Sequence, residues 1–161
     1  MKLHESFDYP ADADAVYGLI TDAGFREDST ISGGGKDVKV TVEPDGEGAT
    51  VTVVRTMPND AMPDAMKKLA GETVTIKQVE RWGAPDANGG RKAKIKLSII
   101  GQPAGMEGTA SITPDGKGSA FAVSGDVKVN VPFLGRKIEP MVAKAITASL
   151  RHEVREGTKR L

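Results

Sequence analysis

The chain has 161 residues, and its 22 basic residues cancel 22 acidic ones, so no global field gathers nucleic acid or an anionic lipid surface around it. It contains no cysteine, which excludes disulfides, thiolate catalysis and cysteine metal sites together. A chain of this size buries roughly 70% of the surface it exposes when unfolded, enough for a single domain over residues 1–161 without a covalent staple. Between residues 1 and 30 the longest apolar run is Val16 to Ile20, preceded by Asp8, Asp12 and Asp14. Neither a secretory leader nor a spanning helix is expected, which points to a cytoplasmic protein not integral to a membrane. Aromatics are few, four Phe, two Tyr and one Trp, so Val, Ile, Ala and Met must fill the interior and an incompletely filled one is expected.

Lys2 to Tyr9 alternates, with Leu3, Glu5, Phe7 and Tyr9 on one face, and reads as the first strand. Pro10 ends it. Asp12 is placed to cap a short helix whose apolar side is Val16, Leu19 and Ile20, and a weaker helical turn follows around Phe25 to Asp28. Ser32-Gly33-Gly34-Gly35-Lys36 is glycine-rich but lacks the strand before it and the Gly-Lys-Ser/Thr after it that a phosphate-binding loop requires. It reads as a flexible connection.

From Asp37 onward an antiparallel meander is predicted, with turns at Asp45-Gly46, Asn88-Gly89 and Asp115-Gly116. The expected partners are Val42 with Val51, Val40 with Val53 and Val38 with Arg55. Next come Ile76 with Leu97, Gln78 with Ile95, Leu97 with Gly108 and Ile95 with Ala110. The last turn sets Ile112 against Phe121, Ala110 against Val123, Gly108 against Gly125 and Met106 against Val127. One inward face runs through all of these without conflict. Gly108 opposite Gly125 leaves a shallow place in mid-sheet, open to two readings: close approach of another backbone, or a ligand cavity. Glu5, Arg55, Gln78 and Glu80 also fall inward. Either strand ends and bulges turn some of them to solvent, or they are polar fixtures of an apolar cavity.

Met57-Pro58 to Gly71 interrupts the meander, and Pro63 with Met66 and Leu69 predicts a short helix there. Met57, Met62 and Met66 cluster on it, as core filling or as an adaptable cavity mouth. The chain ends in a long helix predicted from about Lys137 to Gly157. Val142, Ala145 and Ser149 follow Ile138 at helical spacing and are expected to face the sheet, while Lys144, Arg151 and Arg155 face solvent. Pro140 lies beyond the expected first turn, where a proline costs about 3 kcal/mol unless the helix starts late or kinks.

Chemistry-bearing groups are sparse. His4 falls on the outer face of its strand, and His152 lies near a helix C-terminus, where a surface or capping role is expected. No metal site and no cofactor is predicted, and no nucleophile, base and orienting group can be assembled from spacing. Arg151, Arg155, Lys159 and Arg160, interleaved with Glu153 and Glu156, read as a solvated surface.

In its order of elements the chain resembles the START-like (SRPBCC) superfamily with its helix-grip architecture, and within it an uncharacterised actinobacterial family. The resemblance runs through Arg55-Thr56-Met57-Pro58, Pro63, Gly71, Trp82, Gly108 and Gly125 to the block Val131-Pro132-Phe133-Leu134-Gly135-Arg136-Lys137-Ile138-Glu139. It implies an α+β fold in which a curved antiparallel sheet of seven strands grips the closing helix, with two short N-terminal helices and an apolar tunnel such as relatives use for sterols, lipids or polyketides. No catalytic residue carries over. The expected function is binding of an apolar or amphipathic small molecule in a cavity lined by Glu5, Val40, Val53, Arg55, Met57, Met62, Met66, Ile76, Gln78, Glu80, Leu97, Gly108, Ala110, Val123, Val127, Val142, Ala145 and Ser149. A cyclase or hydrolyase using polar groups of that cavity, and a protein-interaction module, are the alternatives.

Overall fold

The computed structural model describes residues 1–60 and 64–161, and within these every side chain but those of Ala65, Met66 and Leu69. Met62 and Pro63, and the side chain of Met66, therefore lie outside the described residues. The elements run β1 (Lys2–Tyr9), α1 (Ala13–Ile20), α2 (Ala23–Ser32), β2 (Lys36–Asp45), β3 (Gly48–Pro58), α3 (Asp64–Ala70), β4 (Thr73–Trp82), β5 (Arg91–Ile99), β6 (Ala104–Pro114), β7 (Ser119–Val129) and α4 (Gly135–Thr158). The strands form one antiparallel seven-stranded sheet in the order β1-β7-β6-β5-β4-β3-β2. β1 thus closes onto β7 rather than onto the β2 strand that follows it in sequence. The architecture is α+β and helix-grip-like.

Period-two alternation turns Val51, Val53, Ile95, Leu97, Ile112, Val123 and Val127 inward, where all are buried. α1 adds Val16 and Ile20, its first turn capped by the Asp12 carboxylate, which accepts from Ala15 N at 2.8 Å. α4 packs on β7 and β1, and α2 packs on β2, β3 and α4. The long helix therefore lies toward the β1–β7 side of the sheet, and the space over β3, β4 and β5 is closed only in part.

The registers of β2 with β3 at Val42/Val51 and Val40/Val53, and of β6 with β7 throughout, are those expected from the sequence. Two other pairings differ by two residues. Ile76 faces Ile99 and Gln78 faces Leu97, while Leu97 faces Met106 and Ile95 faces Gly108. The cause lies in the loops. An Asx turn at Asp86, whose Oδ1 accepts from Asn88 N and Gly90 N, centres the β4–β5 connection on Ala87 and Asn88, and Gln102 N bonding Ile99 O sets a tight turn after β5. A shift of two keeps every side chain on its face, so the inward set survives. A third difference is a bulge in β2: Lys36 pairs with Thr56 and Lys39 with Val54, and Asp37 takes a φ of 51°. Val38 is therefore not opposite Arg55.

Gly108 and Gly125 do stand opposite each other, but no void remains there. A side chain at Gly108 would meet the Ser124 carbonyl, and one at Gly125 would lie 2.8 Å from the Met106 sulfur. Backbone and Met106 fill the place. Gly135 has a similar reason: a Cβ there would collide with the Val129 carbonyl, so the entry to α4 passes against the end of β7. α4 begins at Gly135, earlier than expected, and continues through the exposed Pro140. Its buried line is Gly135, Ile138, Val142, Val154 and Gly157, with Ile146 and Leu150 half-buried between. Ala145 and Ser149, expected against the sheet, are exposed. Because α4 sits toward β1 and β7, the face one step round from Val142 meets open space instead of strands.

This placement separates two neighbouring positions that the helical pattern alone groups together. Val142→Asp buries a carboxylate without a partner and is expected to cost about 3–5 kcal/mol in urea denaturation. Ala145→Asp keeps its carboxylate in the open cleft and should cost under about 1 kcal/mol, as should Lys144→Asp.

Candidate functional site

The site is assembled by α2, β3, β4 and the last half of α4. Asp22 caps α2, its carboxylate accepting from Phe25 N at 3.0 Å, and the helical spacing from that cap puts Phe25, Arg26 and Ser29 on the buried face. Arg26 is 2% exposed. Its Nη1 donates to Glu80 Oε1 at 3.0 Å and to the Ile20 carbonyl at 3.1 Å, and its Nη2 donates to Glu80 Oε2 at 2.6 Å. The Glu80 carboxylate also accepts from Trp82 Nε1 at 3.0 Å and from Gln78 Nε2 at 2.6 Å. Four donors surround it. Burial pushes Glu80 upward, but the Arg26 charge and these hydrogen bonds outweigh it and hold the carboxyl below its ordinary range.

Glu153, one turn from the end of α4, approaches Arg26 Nη2 at 3.5 Å. Its carboxyl has no comparable set of donors. Burial raises it, the Arg26 charge lowers it, the Glu80 charge raises it, and the balance leaves it above the usual 4.5. Nearby, the Tyr9 hydroxyl and Arg26 Nε are buried with no hydrogen-bond partner among the described residues. The Tyr9 hydroxyl is pushed well above its ordinary value by burial and then by Glu153.

Over this cluster opens a cleft in two compartments. The larger, about 400 Å³, is the more polar of the two: Arg26, Ser29, Thr30, Ser32, Gly33, Gln78, His152 and Glu153 line it, with Val53 and Ala148. The smaller, about 160 Å³, is apolar: Val74, Ile76, Leu97, Ile99, Met141, Val142 and Ile146 line it, with Pro58 and Asn59 at its rim. Arg55, Met57, Ala145 and Ser149 line both and form their boundary. The cation of Arg55 donates through Nη1 to Gln78 Oε1 at 3.2 Å. Burial, then the neighbouring Arg26 charge, lowers its pKa.

Of the residues expected to line a cavity, Val53, Arg55, Met57, Ile76, Gln78, Leu97, Val142, Ala145 and Ser149 do line these compartments. Ala110, Val123 and Val127 line neither; they are 2%, 1% and 0% exposed within the closed core beneath α4. Gly108 is covered by the next strand, and Val40 sits half-buried near the sheet edge. Glu5 is on the far side of α4, accepting from Thr147 Oγ1 at 3.1 Å. Glu80 lies below the floor, enclosed by its four donors. It does not bond Arg55; Gln78 stands between them, as separation of the two along their strands requires.

The structure adds residues that spacing does not assign. Arg26, Ser29, Thr30 and Ser32 belong to α2, for which the sequence predicts only a weak turn because its mean hydropathy is low. The signal available is Asp22 followed by Phe25, Arg26 and Ser29. Glu153, expected among solvated surface charges, points inward, and His152 is half-buried with its Nε2 2.7 Å from Ser32 Oγ. The Ser32 hydroxyl donates to the Ser29 carbonyl at 3.1 Å. The direction of its 2.7 Å contact with the imidazole is set by the His152 tautomer. His4 is on the outer face, 2.6 Å from Ser124 Oγ. Among the described residues no helix is long and apolar enough to cross a membrane.

Residues 4–161 match the model of the family described as "Protein of unknown function (DUF2505)", and the chain belongs to that family. The uncharacterized protein Rv0481c of Mycobacterium tuberculosis (strain ATCC 25618 / H37Rv) is 26% identical over 117 residues, 70% of this chain and 67% of that protein. Among solved structures, TTHA0849 from Thermus thermophilus superposes with a TM-score of 0.65 at 16% identity, covering 99% of this chain and 96% of the other. Norcoclaurine synthase of Thalictrum flavum, a point mutant in complex with a transition-state analogue, gives 0.57 at 16% identity, over 99% and 95%. At these identities the likeness is one of fold.

Two opposed titrations follow from the cluster. The lowered Glu80 contributes stability above the ordinary carboxylate value, lost as pH falls through its depressed one. The raised Glu153 contributes in the opposite sense, present below the ordinary value and lost as pH rises through the raised one. Glu80→Gln leaves Arg26 without its bidentate partner and is expected to cost about 3–5 kcal/mol at neutral pH. It should also lower the Glu153 midpoint, read by side-chain carboxyl NMR, because the charge that raised it is gone. Glu153→Gln should remove the decline in stability on the alkaline side.

Proposed function

We propose that this member of the DUF2505 family is a helix-grip protein of the START-like (SRPBCC) kind whose cleft binds an amphipathic small molecule. The observation that carries the reading is the joining of a more polar compartment of about 400 Å³ to an apolar one of about 160 Å³ across Arg55, Met57, Ala145 and Ser149. Sites for small molecules are concave, with apolar walls and a few placed polar groups. Apolar surface removed from water contributes about 25 cal/mol per Å², so a molecule that covers the walls of the smaller compartment is favoured. Met57, on the boundary, has a flexible thioether chain that adapts to the shape of a bound molecule. The solved neighbour norcoclaurine synthase, in complex with a transition-state analogue, supports the use of this fold to enclose a small organic molecule.

A second reading, an enzyme of the cyclase or hydrolyase type, draws on Glu153. A carboxyl held above its ordinary range beside a cleft is suited to give a proton to a bound molecule.

Ala145 is exposed on the boundary of both compartments, so Ala145→Trp is expected to fill the junction without disturbing the core. Uptake of the neutral fluorophore Nile red should weaken at least tenfold with the melting temperature kept within about 2 °C. Wild-type protein that takes up no Nile red, or a variant that binds it equally well, would remove the binding reading. The two readings part on the molecule recovered by native mass spectrometry from the native host. A carrier yields the same mass from wild-type and Glu153→Gln protein, whereas an enzyme yields unconverted substrate from the variant.

A further inference from the structure

The two guanidinium groups and two carboxyls around the cleft floor are not paired evenly, for both carboxyls lie against Arg26. Arg26 has Glu80 as a bidentate partner, and Glu80 is in turn filled by Arg26, Trp82 and Gln78. Arg55 has no such partner. It is 8% exposed, and among the described residues no carboxylate lies within ion-pair distance; the one side-chain acceptor is the neutral amide oxygen of Gln78 at 3.2 Å. Gln78 cannot relay it to Glu80 as a charge, because the amide spends its donor on Glu80 and its acceptor on Arg55. The other carboxyl, Glu153, stands beside Arg26 at 3.5 Å and not within ion-pair distance of Arg55. No Arg55 nitrogen is among the buried polar atoms left without a partner, so its free N–H groups reach the cleft, where a planar fork fits a carboxylate with two parallel hydrogen bonds.

We infer that Arg55 is the anchor for an anionic group, and that the molecule bound in the cleft is an amphipathic carboxylate whose head meets Arg55 and whose apolar body lies in the compartment of Ile76, Leu97, Ile99 and Met141. This inference rests on the binding reading proposed above and narrows it to a chemical class. The placement of Arg55 carries it: the same side chain lines both compartments, so a head seated there leaves the tail facing apolar walls and any further hydroxyl groups facing Ser29, Ser32 and Ser149. A neutral sterol or hydrocarbon would fill the apolar half but leave the guanidinium unpaired.

The experiment compares cis-parinaric acid with its methyl ester, which differ in charge and hardly in shape, by fluorescence titration of the wild-type chain, Arg55→Met and Arg55→Lys. The acid is expected to bind wild-type protein at least tenfold more tightly than the ester. Arg55→Met should abolish that preference, so that acid and ester bind the variant equally, and Arg55→Lys, with a charge but no fork, should retain part of it. Acid and ester of equal affinity for the wild-type chain would overturn the anion assignment and leave the binding reading in place; this arm needs no variant to fold. A preference that survives Arg55→Met at a normal melting temperature would equally overturn Arg55 as the anchor. Failure of both probes to bind wild-type protein would defeat the binding reading itself and this inference with it.

Discussion

The Arg26–Glu80 pair is the constraint from which the site takes its form. It ties α2, an element of weak intrinsic apolarity, to the C-terminal end of β4 by two charge-assisted bonds at 3.0 and 2.6 Å. A pair this deep contributes little net stability over an apolar replacement, since desolvating two charges offsets their attraction. What it does fix is position. With α2 docked at that point, Ser29, Thr30 and Ser32 become one wall of the polar compartment, and Phe25 packs beneath the end of α4, where a Cβ on Gly157 would lie 3.2 Å from its ring. Removing either charge strands the other in the interior, so the pair is costly to break although it is not strongly stabilising to possess.

The second determinant is where the long helix lies. α4 seats its buried line on β7 and β1, and the glycine at its entry allows the backbone to pass against the Val129 carbonyl. Glu139 reinforces the docking by accepting from Val129 N at 3.1 Å. A helix placed toward one side of a curved sheet covers β7 and β1 and leaves β3, β4 and β5 under a roof of Ala145, Ala148 and Ser149, whose side chains are too short to reach them. The cleft is thus a consequence of docking geometry and of small residues on one helical face, not of the opposed glycines in mid-sheet.

Most of the architecture was legible because alternation is local and survives error. The pairings of β4 with β5 and of β5 with β6 were each displaced by two residues, yet Gln78, Ile95 and Leu97 kept their faces, since a shift of two preserves parity. The side of the sheet on which a residue lies could be read; the strand position it opposes depended on loops such as that of Asp86, whose geometry is set by hydrogen bonds rather than composition. The site was less legible for a different reason. Arg55 and Gln78 stand out because they interrupt an apolar face, whereas Arg26 and Glu153 sit on helices whose exposed faces are also charged. Nothing in helical spacing distinguishes an arginine that meets a buried carboxylate on a distant strand from one that meets water. Ala145 and Ser149 border the cleft for a reason that spacing does not give: it sets them against the sheet, whereas their short side chains stop above it.

The two halves of the site are coupled by charge. Glu153 is held above its ordinary range by burial and by Glu80, and restrained by Arg26 and then Arg55. An anion seated on Arg55 would spend the charge that restrains Glu153 and add a negative charge beside it, so the carboxyl would move further up and bind a proton more firmly. Reciprocity of linkage then requires that protonation of Glu153 favour the anion. A neutral ligand acts on Glu153 only through the water it displaces. The floor of the cleft is therefore electrostatically specific even though its contacts are few: Arg26 and Glu80 neutralise each other and provide a rigid base, while Arg55 and Glu153 remain free to respond to whatever charge enters above them.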